Sequence, residues 1–145
     1  MPIVFVRCLY GRNYGWLLAY MDFRSRNAPK KMVKGAELME SRISYEKAME
    51  IAARFAQRIR AELDAQAEVY LFGSVVTAKN HSKSDIDIAV VSRVFTNDVC
   101  KNYARVNMLA YDINDNIDAQ AIIYDDWINQ TPFTAAVQRQ GVLVG

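Results

Sequence analysis

Two aspartates one residue apart, Asp85 and Asp87, open an apolar run, Ile88-Ala89-Val90-Val91. Ten residues separate them from Gly73-Ser74, which closes another such run, Val69-Tyr70-Leu71-Phe72. Successive side chains of a strand point to opposite faces, so Asp85 and Asp87 share one face while Ile86, Ile88 and Val90 share the other. Two carboxylates a few ångströms apart repel by ~4 kcal/mol at an effective dielectric of about 20, so one takes up a proton or a cation sits between them. Hard oxygen ligands favour magnesium, which keeps several waters and accepts phosphate oxygens as its remaining ligands. Alone, Asp-x-Asp is a short pattern that a solvated strand end explains as well.

The Gly-Ser pair changes the weighing. Glycine lets the backbone approach a phosphate closely, and a helix N-terminus after it presents free N–H groups and positive dipole. Ser74 adds a hydroxyl donor. By itself the pair reads as a tight strand-to-helix turn. With the aspartates, each at the end of a strand-like run, it describes a site suited to a nucleoside triphosphate and its magnesium. Lys79, His81, Lys83 and Ser84 occupy the loop before the aspartates, within reach of phosphate, although each taken singly reads as exposed polar loop.

Gly73-Ser74, ten residues, Asp85-x-Asp87 resembles the fingerprint of the DNA polymerase β-like nucleotidyltransferase superfamily. The chain's size resembles its minimal, single-domain members, some of which are antitoxins paired with HEPN-domain toxins. The resemblance runs roughly from Tyr45 to Val144 and is most specific from Tyr70 to Val91. One departure stands out. Many minimal members continue the Gly-Ser with a small residue, Arg and Gly, where this chain has Val76, Thr77 and Ala78. The missing arginine removes one phosphate contact of the pattern and leaves the metal site intact.

The resemblance implies a third carboxylate on a neighbouring strand. Ile117 to Ile123 alternates as a strand, with Asp118, Gln120 and Ile122 on one face, and Asp118 is its only acid. Asp112 and Asp115 precede it in an asparagine-rich loop, and Asp125 and Asp126 read as a helix start before Trp127. An edge-strand surface acid is the bland alternative for Asp118. What the resemblance implies is a two-magnesium transfer of a nucleoside monophosphate, AMP from ATP, to a hydroxyl, in the manner of a protein adenylyltransferase. Asp85 and Asp87 would hold both ions, and Asp118 would complete the nucleophile-side metal and help accept the proton. Gly73, Ser74, Lys83 and Ser84 would hold the nucleotide. The acceptor expected by analogy lies on a HEPN toxin partner. The alternative is a non-catalytic, antitoxin-like module that neutralises a partner by contact.

A chain of 145 residues with 52% hydrophobic content suffices for one core. Cys8 and Cys100 lie far apart in sequence without metal-ligand spacing, so reduced thiols and a cytoplasmic location are expected. A single histidine excludes His-clustered metal chemistry. Residues 1–38 carry seven basic and two acidic residues, and the remainder carries 11 basic and 14 acidic. A mildly acidic catalytic region lacks the basic groove that tracks long nucleic acid. Residues 1–40 read as an N-terminal extension, with 41–145 as the nucleotidyltransferase domain. Ile3–Val6 and Trp16–Met21 are too short for the ~18 residues that span a bilayer. A hairpin covering the sheet, a partner-binding arm and translated sequence upstream of the true start compete for the extension.

The positioning elements follow from periodicity. Tyr45, Met49, Ala52, Phe55, Ile59 and Leu63 mark one face of a helix opening near Ser44. Val99, Tyr103, Val106 and Ala110 mark a second helix, with Asn97 as its cap. Residues 125–140 read as mostly helix, broken near Thr131-Pro132, with Gly141 ending it and Val142–Val144 as a short edge strand. The expected fold is α/β of the α+β type, a small mixed sheet backed by helices, with the polymerase β-like arrangement.

Overall fold

A computed structural model describes residues 43–79 and 85–145. The N-terminal extension and His81, Lys83 and Ser84 therefore lie outside the described residues. Helix α1, Tyr45–Glu62, starts at Ser44, whose hydroxyl accepts from the Lys47 amide at 3.1 Å. Its buried stripe is Ala48, Ile51, Ala52, Phe55, Ala56 and Ile59. Tyr45, expected on that stripe, is exposed instead, because the small alanines let the helix lie close to the sheet one turn further on. Full burial of Phe55 and Ile59 contributes about 2 kcal/mol each.

Strand β1, Glu68–Phe72, alternates as an amphipathic strand should, with Val69 and Leu71 buried toward α1 and Tyr70 and Phe72 on the other face. Strand β2, Ile86–Ser92, is buried along most of its length. Helix α2, Val99–Tyr111, is capped by Asp98 rather than by Asn97: the Asp98 carboxylate accepts from the Lys101 amide at 3.0 Å. A cap must precede the first helical residue directly, and that residue is Val99. Strand β3, Ile117–Ile123, is followed by helix α3, Tyr124–Ile128, and helix α4, Pro132–Gln140. Gly141 closes α4, and the edge strand β4 is Val142–Leu143, with Val144 N–H still bonding Val69 O at 2.8 Å.

The sheet order is β3-β2-β1-β4. β1 runs antiparallel to β2 and β4, and β2 runs parallel to β3, so the sheet is mixed as expected. One face packs under α1 and α2 through Ile86, Ile88, Val90, Leu71 and Ile117. The other carries Ala89, Val91 and Ile122, packed with Val137, Trp127 and Tyr124 from α3 and α4. Asn107 on α2 satisfies β3 in an unexpected way. Its amide donates to Ala119 O at 2.8 Å and accepts from Ala119 N at 3.2 Å, taking the place of a further strand. Cys100 lies in the first turn of α2.

Candidate active site

The β2–β3 register makes Asp87 and Asp118 direct partners, and the β1–β2 register makes Phe72 the partner of Asp87. Phe72, Asp87 and Asp118 thus form one row across three strands, on the sheet face that α3 and α4 only partly cover. Neighbouring strands lie about 4.8 Å apart, so the two carboxylates are adjacent by construction. Asp85 stands just ahead of β2 and is exposed.

Gly73 explains how Asp87 is held. Its φ of +78° is a left-handed conformation that side-chain-bearing residues rarely adopt, and a Cβ there would fall 2.1 Å from Asp87 Oδ2. The turn it makes directs the Ser74 N–H onto the Asp87 carboxylate. Thr77 N then bonds Gly73 O at 3.1 Å and Lys79 N bonds Ser74 O at 3.0 Å. Residues 73–78 form turns rather than the regular helix expected to follow the Gly-Ser pair. Ala78, at the place where the family pattern has glycine, is left-handed at φ +56°, which stops the chain from continuing as a helix.

Burial first, then the negative charges of Asp118 and Asp85, push the Asp87 carboxyl up to about 6, against the Ser74 N–H that favours its ionised form. Gln120 sits two residues along the same face of β3 and donates to both Asp118 carboxylate oxygens at 3.3 Å. Carboxylate oxygens are the kind of donor that a hard divalent cation takes. Among the described residues, no group of three or more His, Cys, Asp or Glu side chains stands ready-made as a metal cage. Among the described residues, the three aspartates do not form a closed coordination sphere.

The nucleotidyltransferase domain family matches residues 52–140. That span includes every aspartate of the row and the Gly-Ser turn. The chain belongs to the nucleotidyltransferase domain family. A solved structure from Sulfolobus solfataricus, described as a "putative nucleotidyltransferase", superposes with a TM-score of 0.53 at 22% identity, over 77% of this chain and 89% of that one. It carries the fold likeness: a mixed sheet backed by helices. No curated protein matches the chain.

For this nucleotidyltransferase domain, the other acids sort away from the row. Asp112 pairs with Arg58 at 3.0 Å, and Asp125 and Asp126 lie in the first turn of α3, as read from sequence. A cleft of about 330 Å³ lined by Asp64, Glu68, Ser92 and Tyr124 lies at the opposite ends of β1 and β2 and shares no residue with the row. Gln120 and Phe72 were absent from the sequence-derived candidates. Gln120 was within reach, because it shares the Asp118 face at a spacing of two. No helix among the described residues is long and apolar enough to cross a membrane.

Proposed function

We propose that this domain is a divalent-metal-dependent nucleotidyltransferase that moves a nucleoside monophosphate, AMP from ATP, onto a hydroxyl. The observation that carries the reading is the row itself: Asp87 facing Asp118 in register, beside a glycine turn whose next N–H binds Asp87. Asp85, Asp87 and Asp118 would hold the metal, magnesium by donor chemistry. Bound there, divalent ions would offset triphosphate charge and lower the pKa of the attacking hydroxyl. Asp118, on the edge strand, would take the proton as the acceptor oxygen bonds the α-phosphorus and the bond to the β-phosphate breaks, releasing pyrophosphate. Gly73 and Ser74 would border the β- and γ-phosphates, with Lys83 and Ser84 as further contacts expected from sequence.

By family analogy the acceptor is a protein hydroxyl on a HEPN-type partner, in the cytoplasm where ATP and magnesium are supplied. The test is labelling of a cognate partner protein from α-labelled ATP with magnesium, alongside small alcohols as acceptors. Label should transfer to the protein and disappear in Asp85→Asn and Asp87→Asn, with a smaller loss in Asp118→Asn. Full labelling in a folded Asp87→Asn variant would sink the reading. Neutralisation of the partner without any nucleotide would favour the contact-only module.

A further inference from the structure

Among the described residues, α3 and α4 roof one end of the sheet face that carries Asp87 and Asp118. Trp127 of α3 lies over Tyr70, ring centroids 4.9 Å apart, and Val137 of α4 packs with Ala89, Val91 and Ile122. At the rim of that roof Phe133, in the first turn of α4, meets Phe72 edge-on at 5.8 Å. Phe72 is the cross-strand partner of Asp87 and directly precedes the Gly73-Ser74 turn. The aromatic pair therefore begins where the carboxylate row ends.

Phe133 is half-sheltered by this contact yet stays 45% exposed. The other exposed aromatic rings among the described residues, Tyr45 and Tyr111, belong to α1 and α2, which pack on the opposite face of the sheet. Val94, Ile128, Met108 and Leu143 are exposed but have no π face. Phe133 is thus the most exposed aromatic ring of the described residues on the face that holds the carboxylates. A nucleotide whose α-phosphate lies at Asp87 carries its base one sugar away, a span that would let it reach the Phe72–Phe133 pair across the strand. A neutral base gains little from an acidic face, and stacking on an exposed ring is the attraction open to it.

We propose that Phe133 is the platform on which the base of the bound nucleoside triphosphate stacks, and that it favours purines because they cover more of the ring. The inference rests on the nucleotidyl-transfer reading and adds to it the residue that chooses the base class. Phe72 holds the platform in place by its edge contact.

Calorimetric titration of the full chain with the magnesium complexes of ATP, CTP and inorganic tripolyphosphate, without acceptor, tests it. The wild type should bind ATP more tightly than CTP, and CTP more tightly than tripolyphosphate. Phe133→Ala should weaken ATP about tenfold and CTP less, with tripolyphosphate unchanged. Phe133→Leu keeps apolar contact with Phe72 but has no π face, and should also lose the purine preference. Unchanged ATP affinity in both variants overturns the platform, as does an equal loss for ATP and tripolyphosphate. A wild type that binds neither ATP nor tripolyphosphate overturns the nucleotidyl-transfer reading itself, whereas one that binds both alike overturns the platform alone.

Discussion

Gly73 and Asp87 occupy what would otherwise be the same space: a Cβ on the glycine would stand 2.1 Å from the aspartate's Oδ2. The glycine of the Gly-Ser pair is thus required by a carboxylate on the next strand as well as by its own φ of +78°. Gly73→Ala should destabilise the domain by about 3 kcal/mol, combining a steric clash with left-handed strain. With Asp87→Ala in the background the clash with the carboxylate is gone, a tight 3.1 Å approach to Cβ remaining, and the same substitution should cost about 1.5 kcal/mol. Urea denaturation of the four proteins of this cycle measures the coupling. Equal costs in both backgrounds would show that the two residues do not compete.

The raised carboxyl of Asp87 has a stability consequence with a definite sign. Its folded value of about 6 lies above the ordinary 3.8, so between those values the folded protein binds more protons than the unfolded chain. The stability from a protonated Asp87 is complete below pH 3.8 and is lost as pH rises through about 6. Because Asp87 is only partly buried, solvent screening reduces the effect, and Asp87→Asn should gain roughly 1 kcal/mol at neutral pH, about 3 °C in Tm. The gain should vanish near pH 4. Saturating magnesium should reverse the order, stabilising the wild type above the variant. Thermal scans with EDTA and with magnesium at both pH values check this, and a wild type that outlasts Asp87→Asn in EDTA at neutral pH contradicts it.

Much of this was readable from period and spacing. Alternation along Ile86–Val90 set Ile86, Ile88 and Val90 apart from Asp87, because β2 has one face under α1 and α2. Asp118 could be singled out as the one acid of an alternating run, and the register now sets it opposite Asp87. What could not be read was the interplay between elements. Register depends on how β2 and β3 slide past each other, and no local pattern encodes that. The helix expected after Ser74 gives way to turns because Ala78 takes a left-handed conformation that propensity does not announce. Nothing in the pattern of its helix singles out Asn107, whose side chain pairs with Ala119 on β3.

Ala78 offers a gain of stability in place of a loss. Alanine pays about 1 kcal/mol in the left-handed region, and glycine, which the family pattern has here, does not. Ala78→Gly should stabilise the domain by roughly 0.5 kcal/mol, the remainder being offset by the greater freedom of glycine in the unfolded chain. Paired urea titrations of the wild type and the variant measure the difference. A clear loss of stability would mean that the Ala78 methyl makes contacts that outweigh its backbone strain.

Asn107 links α2 to the strand that carries Asp118, through both backbone groups of Ala119. Asn107→Leu would leave the Ala119 N–H and C=O without that partner, at a cost of about 2 kcal/mol. The effect should be local. The Ala119 amide should exchange with solvent much faster, while amides in α1 keep their protection relative to the new global stability. Nucleotidyl transfer should fall further than stability alone accounts for, because Asp118 is the neighbouring residue and its position depends on β3 staying in register with β2. Hydrogen exchange read by NMR, beside transfer measured well below the melting temperature, separates the two effects. Wild-type exchange at Ala119 in the variant would show that the side-chain amide does not secure the strand edge.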